Sequence, residues 1–255
     1  MKILVIGDSC KDIFIYGDIH RVCPEAPVPV FNPIRQTEND GMAKNVSNNV
    51  EALGSTIYTI TNMNSIKKIR YVDKSSNQMV LRVDEHDYCS RIDTDTISNI
   101  RDNKCHVSMS GDVEVDAIII SDYCKGFLEE EDIQFICENN DNVFVDTKKK
   151  LSSWIESADF IKINFIEYTN NKELLHNNKD FLDKTIITCG DAGCLFRGDR
   201  YLVEKVPIKD LSGAGDTFLA GLVVEYLKSD DIVKAINFAQ ECTTIVVQKH
   251  GVSTI

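Results

Sequence analysis

The chain has 255 residues, of which 28 are Lys or Arg and 40 are Asp or Glu, so its formal net charge is −12 at pH 7. This acidic balance argues against broad binding to nucleic acid or to an anionic membrane, because both require basic surface. An apolar fraction of 43% is ordinary for a folded protein, and the length predicts one domain over residues 1–255.

Nine cysteines are scattered along the chain without a Cys-x-x-Cys pair. This pattern disfavours a disulfide framework or a zinc site, and a reducing cytoplasm is the simplest setting for it. The N-terminus begins with the strand-like run Lys2–Ile6, which predicts no signal peptide, and no apolar run is long enough to span a bilayer.

Short apolar runs alternate with helical patterns along most of the chain. The predicted strands are Ile3–Ile6, Ile57–Ile60, Ala117–Ile120, Val143–Val145, Phe160–Ile163 and Thr185–Thr188. The predicted helices are Ala43–Leu53, Glu129–Glu138, Asp216–Leu227 and Asp231–Val247. Such alternation is typical of an α/β protein with a mostly parallel sheet that is covered on both faces.

Two segments do not fit this alternation. Residues 13–38 contain four of the five prolines, and residues 69–86 have the pattern of a hairpin that turns at Asp73–Asn77. Together they predict a small antiparallel sheet inserted in the domain, which would serve as a lid or as a dimer contact. The alternative is an ordinary hairpin at the edge of the main sheet.

The turn Ser212-Gly-Ala-Gly-Asp-Thr-Phe218 precedes an apolar helical pattern. Its small residues permit a close approach of the backbone to a ligand, and the unpaired N–H groups of a helix start favour an anion. If a phosphate occupies this turn, Asp216 lies beside it and can accept a proton from an incoming hydroxyl group. The alternative is that Asp216 simply stabilises the helix N-terminus.

Several other short strings occur in a fixed order along the chain. They are Gly7-Asp-Ser-Cys-Lys-Asp12, Cys23-Pro-Glu-Ala-Pro-Val-Pro-Val30, Gly41-Met-Ala-Lys-Asn45, Ser121-Asp-Tyr-Cys-Lys-Gly126, Val145-Asp-Thr-Lys148, Asn164-Phe-Ile-Glu167 and Thr188-Cys-Gly-Asp-Ala-Gly193. With the glycine-rich turn, they resemble the ribokinase (phosphofructokinase-B) family of sugar kinases over nearly the whole chain. Within that family, the proline-rich string is similar to the kinases that act on heptose 7-phosphate in ADP-heptose synthesis.

The resemblance implies a ribokinase-like three-layer α/β/α sandwich with a mostly parallel central sheet and a small β-sheet lid. It also implies an ATP-dependent carbohydrate kinase that transfers the γ-phosphoryl group to a sugar hydroxyl group. For a heptose 7-phosphate this acceptor would be the anomeric O1. The expected partner is a small-molecule sugar or sugar phosphate, and a homodimer through the lid remains open.

The resemblance assigns a role to each matching residue. Asp216 would be the catalytic base, and the anion hole would consist of Gly213, Ala214 and Gly215. The substrate-binding residues would be Asp12, Gly41, Asn45 and Lys125. The nucleotide-binding residues would be Lys148, Asn164, Asp210 and Lys249, and Mg²⁺ would be held, through water, by Asn164 and Glu167.

Two departures from the family pattern affect these expectations. Met42 follows Gly41 where the family has a second glycine, and a methionine would be strained there if the position requires a positive φ. Only residues 61–66 separate the second strand from the lid hairpin, where relatives insert a further helix and strand. One edge of the main sheet is therefore expected to be smaller.

Three functions other than a heptose phosphate kinase are compatible with parts of the sequence. A kinase for another sugar or a nucleoside remains open, because the acceptor depends on Asp12, the lid and the missing loop. A catalytically silent sugar- or nucleotide-binding protein is disfavoured, because it would not need Asp216, Asn164 and Glu167. A dinucleotide-dependent oxidoreductase is disfavoured because the first strand is not followed by Gly-x-Gly-x-x-Gly.

Overall fold

The structure is a computed structural model that describes residues 1–107 and 111–255. Its strands, in chain order, are β1 (Lys2–Gly7), β2 (Ser9–Val22), β3 (Pro29–Met42), β4 (Thr56–Thr61), β5 (Ile66–Asp73), β6 (Met79–Glu85), β7 (Lys104–Val107), β8 (Gly111–Glu114), β9 (Ala117–Asp122), β10 (Val143–Thr147), β11 (Phe160–Asn164), β12 (Thr185–Thr188), β13 (Cys194–Phe196) and β14 (Asp199–Tyr201). Its α-helices are α1 (Ala43–Ala52), α2 (Thr94–Ser98), α3 (Glu130–Asn139), α4 (Phe165–Asn177), α5 (Lys179–Asp183), α6 (Ala214–Ser229) and α7 (Ile232–Val246).

The main sheet has the strand order β14-β13-β12-β11-β10-β9-β1-β4. The six strands from β12 to β4 run parallel, and β13 and β14 add an antiparallel edge. The parallel strands are apolar runs rather than alternating patterns because both faces of the sheet are covered. The predicted mostly parallel α/β fold is confirmed.

Helices cover the two faces of this sheet and produce three layers. Ile3 and Val5 pack in one core with side chains from α1, α6 and α7. Leu4 and Ile6 pack in a second core with side chains from α2, α3, α4 and α5. Successive side chains of a strand point to opposite faces, so β1 contributes to both cores in turn.

A separate four-stranded sheet has the order β3-β2-β5-β6. Both outer pairs are antiparallel, as the sequence predicts, but β2 and β5 run parallel to each other. The parallel pair is possible because the chain leaves the small sheet after β3 and returns to it only after α1 and β4. The two predicted lid segments therefore lie in one sheet, and its strands β2 and β3 extend beyond the predicted bounds to Ser9 and Met42.

The chain passes directly from the edge of the main sheet into the small sheet. β4 is the last strand of the main sheet, and only residues 62–65 separate it from β5. A cavity of about 820 Å³ lies along this edge, and Tyr58, Ile60 and Phe127 are among its lining residues. None of the predicted site residues lines that cavity. No helix in the described ranges combines the length and the apolar character that a bilayer crossing requires.

Candidate active site

The candidate site lies at the carboxyl ends of the parallel strands, where ligands bind in open α/β sheets. Asp8 follows β1, Tyr123 follows β9, and Lys148 follows β10. Asn164 ends β11, and α6 begins opposite these residues with the glycine-rich turn. The order of the strands in the sheet therefore brings together strings that lie far apart in the chain.

Two glycines, Gly213 in the turn before α6 and Gly215 in its first turn, leave little room for a side chain. Gly213 is the N-cap of α6 and has a φ of 81°, which is left-handed backbone that glycine adopts without strain. A Cβ atom on Gly213 would lie 2.6 Å from Asn45 Nδ2, and one on Gly215 would lie 3.0 Å from Lys162 Nζ. The Ala214 N–H donates to the carbonyl of Leu211 at 3.2 Å and so belongs to the turn itself.

Asp216 lies in the first turn of α6 and is only 3% exposed. The Asn45 amide donates to Asp216 Oδ2 at 2.9 Å, and the Tyr123 hydroxyl donates to Asp216 Oδ1 at 2.6 Å. Burial raises the pKa of Asp216 to about 6, and these two hydrogen bonds oppose that rise because they stabilise the carboxylate. A buried carboxylate with such a pKa can take up a proton near neutral pH.

Tyr123 was not predicted as a site residue. It follows β9, and its loop is held by the fully buried Asp8, which accepts the backbone N–H groups of Tyr123 at 2.6 Å, Phe127 at 3.3 Å and Lys125 at 3.4 Å. Burial and the neighbouring Asp122 raise the pKa of Asp8. The place of Tyr123 in the string Ser121–Gly126, directly after a buried strand, is the sequence signal that could have identified it.

A buried ion pair next to the glycine-rich turn was also not predicted. Lys162 Nζ lies 2.6 Å from Asp146 Oδ2, and the side chains are 4% and 2% exposed. Burial would raise the pKa of Asp146, but Lys162 and Lys148 outweigh burial and lower it. The sequence signal is a lysine inside the apolar run of β11, since lysine is almost never buried without a partner.

Asn164 and Glu167 form a capping box at the start of α4. Asn164 Oδ1 accepts the Glu167 N–H at 2.9 Å, and Glu167 Oε2 accepts the Asn164 N–H at 2.7 Å. Lys148 Nζ lies 2.6 Å from Glu167 Oε1 and 3.4 Å from Asp146 Oδ1. Burial alone would lower the pKa of Lys148, but these two carboxylates raise it.

The predicted sugar-binding residues Asp12 and Gly41 lie side by side on β2 and β3. A Cβ atom on Gly41 would lie 2.0 Å from Asp12 Oδ2, so no other residue fits there without a shift. The Arg70 guanidinium of β5 forms an ion pair with Asp12 Oδ1, and the two side chains are 13% and 7% exposed. Met42 has a φ of 59°, which confirms the strained backbone expected at this position.

Three other predicted site residues have partners away from Asp216. Lys125 Nζ forms an ion pair with Asp87 Oδ2 at 2.5 Å. Asp210 accepts the N–H groups of Ser212 at 2.8 Å and of Gly251 at 3.0 Å, so it ties the glycine-rich turn to the C-terminal segment. The Lys249 ammonium donates to the carbonyl of Thr254 at 2.6 Å.

A narrow cleft of about 200 Å³ lies between the small sheet and the segment before α6. Three of its lining side chains, Arg70, Lys209 and His250, carry or can carry positive charge, and Asp210 and Ser212 also line it. The stacked rings of Phe14 and Tyr16 form an apolar wall of the same cleft. The arrangement suits a small molecule with an apolar face and an anionic end.

Residues 102–255 match the family model described as pfkB family carbohydrate kinase. That span is more than half of the chain, and the chain belongs to this family of carbohydrate kinases. Its similarity to the bifunctional protein HldE of Helicobacter pylori strain J99 is 28% identity over 298 residues, which covers 98% of this chain and 63% of the relative. HldE of Nitratiruptor is also 28% identical, over 99% of this chain and 63% of the relative. The chain thus spans less than two thirds of the length of these relatives.

Two solved structures share the fold. The Thermotoga maritima ribokinase has a TM-score of 0.69 at 17% identity and covers 98% of this chain and 94% of its own. The Escherichia coli phosphofructokinase-2, solved in complex with potassium, has a TM-score of 0.74 at 10% identity. The match covers 98% of this chain and 94% of the phosphofructokinase chain. These likenesses confirm the ribokinase-like fold.

Proposed function

We propose that the chain uses ATP to phosphorylate the anomeric O1 of a sugar phosphate, with heptose 7-phosphate as the first candidate. The observation that carries the proposal is the environment of Asp216. It is a buried carboxylate in the first turn of α6, three residues after the left-handed Gly213. Phosphoryl transfer to an alcohol requires a proton acceptor next to a phosphate-binding turn, and these two features meet here.

Asp216 would accept the proton of the acceptor hydroxyl group as the phosphoryl group arrives. Its carboxylate can accept further hydrogen bonds besides those from Asn45 and Tyr123. With a pKa of about 6, Asp216 is mostly ionised at neutral pH and yet basic enough to hold a proton. Asn45 of α1 would fix the orientation of the carboxylate through its hydrogen bond to Asp216 Oδ2.

The turn of Gly213, Ala214 and Gly215 would hold the transferring phosphoryl group at the start of α6. The N-terminus of a sixteen-residue helix favours an anion through its dipole and its N–H groups. Lys162 Nζ lies next to Gly215 and adds a positive charge beneath this turn. Donors already aimed at developing charge lower the barrier without reorganisation.

The nucleotide would lie over the ends of β10 and β11, where Lys148 and Asn164 are found. Lys148 is a cation that a triphosphate can recruit from Glu167 and Asp146. Asp210 would act indirectly by holding the turn before α6, and Lys249 would reach the nucleotide from the C-terminal segment. ATP is the proposed donor.

Mg²⁺ fits Glu167 and Asn164, because it prefers carboxylate and amide oxygens and is usually held by one or two carboxylates together with substrate phosphates. Within residues 1–107 and 111–255, no group of three or more His, Cys, Asp or Glu side chains forms a metal site by itself. When bound, the ion would neutralise charge on the phosphate oxygens. Lys148 would then share Glu167 with the ion.

The charge of the cleft supports a phosphorylated acceptor. The chain as a whole is acidic, with a net charge of −12, and yet Arg70, Lys209 and His250 line one small cleft. Asp12 and Gly41 would contact the hydroxyl groups of the sugar, while Arg70 lies between Asp12 and the cleft. Lys125, which lies in the loop from Tyr123 to Phe127, would contact the sugar only after leaving Asp87.

The small sheet would act as the lid of this site. Its strands β2 and β5 carry Asp12 and Arg70, so closure of the sheet would carry both residues toward the acceptor. The outer strands β3 and β6 leave open edges, which would also permit a homodimer through the lid.

All nine cysteines are free thiols, which supports a place in the reducing cytoplasm.

The proposal is tested by ATP consumption with a panel of acceptors: heptose 7-phosphate, the unphosphorylated heptose, a pentose and a nucleoside. We expect turnover with heptose 7-phosphate that is lost in Asp216→Asn. Turnover only with an unphosphorylated acceptor would reject the sugar phosphate, and no turnover with any acceptor would favour a silent binding protein.

Arg70→Gln should raise the KM for a phosphorylated acceptor far more than for its unphosphorylated form.

A further inference from the structure

Tyr123 occupies a position that connects several parts of the candidate site. Its hydroxyl donates to Asp216 Oδ1 at 2.6 Å, and Lys68 of the small sheet lies 5.0 Å from the centre of its ring. On the nucleotide side, Lys148 Nζ lies 5.2 Å from the same ring. The phenol ring thus lies close both to a cation of the small sheet and to a cation of the proposed triphosphate site.

The backbone around Tyr123 is fixed rather than free to follow a ligand. Asp8 is fully buried and accepts three N–H groups of the segment from Tyr123 to Phe127. The next residue, Cys124, has a φ of 56°, and its N–H donates to Asp122 at 3.1 Å. A residue held in this way presents its side chain in one orientation, which a positioning role requires.

We propose that Tyr123 is a positioning residue whose hydroxyl keeps the Asp216 carboxylate ionised and turned toward the acceptor. This inference rests on the proposed function of Asp216 as the base. A hydrogen bond from a neutral phenol stabilises the charged form of a carboxyl group without adding a competing charge. Burial of Asp216 works in the opposite direction, so the phenol offsets part of the cost of a buried base.

The groups that act on the charge of Asp216 lie on four elements, α1, β2, β10 and β11, and on the loop that follows β9. Asn45 of α1 donates to it, and Asp146 of β10 and Lys162 of β11 act on it with opposite signs. Cys10 of β2 also lies within electrostatic range, but its pKa of about 12 keeps the thiol neutral. Tyr123 itself has a pKa well above its ordinary value because of burial, so it remains a donor throughout the pH range of interest.

The test compares Tyr123→Phe with wild type in kcat and kcat/KM across pH. Loss of a hydrogen bond to a charged group should raise the apparent pKa of the acidic limb by about one unit. A rise of that size predicts a loss of about fivefold near pH 6 and near-normal turnover above about pH 8. Tyr168→Phe is the matched control, because it deletes a hydroxyl bonded to His176 on α4, and its profile should be unchanged.

A second readout does not depend on turnover. The pKa of Asp216 can be followed by carboxyl ¹³C NMR in aspartate-labelled protein, with the resonance assigned by its loss in Asp216→Asn. A rise of about one unit in Tyr123→Phe supports the inference even if no acceptor is found. An unchanged pKa, or a loss of activity that is uniform across pH, would overturn it. Absence of kinase activity in wild type, with the NMR shift present, would instead reject the proposed function alone.

Discussion

Asp216, the residue on which the proposed function depends, is a carboxylate that the fold buries almost completely. Asp216 has a pKa of about 6 because burial penalises its charge more than Asn45 and Tyr123 stabilise it. A group whose folded pKa exceeds its unfolded value lowers stability as pH rises through that interval. Asp216 therefore costs stability at neutral pH, a cost that its proposed role as a base would explain.

Asp216→Asn is expected to raise the melting temperature at pH 7.5, with a gain in the free energy of unfolding of about 1–3 kcal/mol. The gain should fade as pH falls from 6 toward 4, because the folded carboxyl group becomes protonated near pH 6 and the unfolded one near pH 3.8. Thermal denaturation across pH measures this effect. Asp73→Asn is a control of opposite sign, because hydrogen bonds from Ser75 and Ser76 lower the pKa of Asp73 to about 2. A destabilised Asp216→Asn at pH 7.5 would contradict the account.

The Lys162–Asp146 pair permits a second prediction at this scale. Lys162→Met would leave the buried Asp146 carboxylate with only the more distant Lys148, so it should cost about 3 kcal/mol of stability. Lys162→Met combined with Asp146→Asn should be more stable than Lys162→Met alone, because the poorly compensated carboxylate is gone. Urea denaturation of the variants measures the coupling. The partly exposed pair of Lys11 and Asp40 is the control, and breaking it should cost less than about 1 kcal/mol. Additive effects at Lys162 and Asp146 would show that the pair is not coupled.

At the level of elements, the start of α1 carries strain that the sequence predicts. Met42 is the N-cap of α1, with a φ of 59° and a ψ of −133°, and its side chain is 2% exposed. Glycine adopts this backbone conformation freely, whereas a side chain pays about 1–3 kcal/mol. The buried methionine side chain packs against Cys10 and Ile66 and compensates for part of that cost.

Met42→Gly is therefore expected to be more stable than Met42→Ala by about 1–3 kcal/mol, although it removes one more carbon atom. Both variants lose the buried side chain, but only glycine relieves the backbone. Val46, inside α1, provides the matched pair: there the glycine variant should be less stable than the alanine variant by about 1 kcal/mol. The midpoints of denaturant unfolding of the four variants measure these differences. If the alanine variant is the more stable one at both positions, the result would argue against strain at Met42.

Much of the main sheet could be predicted because most of its parallel strands contain a run of buried apolar residues. Those runs need no partner information to be recognised, since both faces of the strand are buried. The short strands β13 and β14, of three residues each, carry too little pattern to be predicted. The parallel pairing of β2 with β5 could not be predicted from the sequence either, because it depends on the crossover through α1 and β4.

The contacts within the candidate site also depend on the fold, so the sequence alone could not predict them. Asp216 and Asn45 were predicted from separate strings, and the fold brings them into contact across 171 positions of sequence. The pairing of Arg70 with Asp12 follows from the register of β2 and β5, where Asp12 lies opposite Lys68 and Arg70 is two residues further on. No local pattern encodes that register. The contacts of Tyr123 and Lys162 were missed for the same reason.

On the scale of the whole molecule, the two sheets differ in how fully they are covered. The central strands β9 and β10 are buried along their whole length, whereas β6 is mostly exposed. Hydrogen exchange should therefore be slowest in β9 and β10 and faster in β6. An ATP analogue together with a productive acceptor should slow exchange in β2 and β5 if the small sheet closes as a lid. Equal exchange in these strands with and without both ligands would contradict closure.

The central claim is that Asp216 removes the proton from the acceptor as phosphoryl transfer takes place. Its most direct test is the single-turnover rate of Asp216→Asn with the acceptor that wild type uses, measured on protein whose folding has been verified. The account predicts a loss of about 10²–10⁴ in that rate with little change in ATP affinity. A variant that folds and transfers phosphate at the wild-type rate would contradict it.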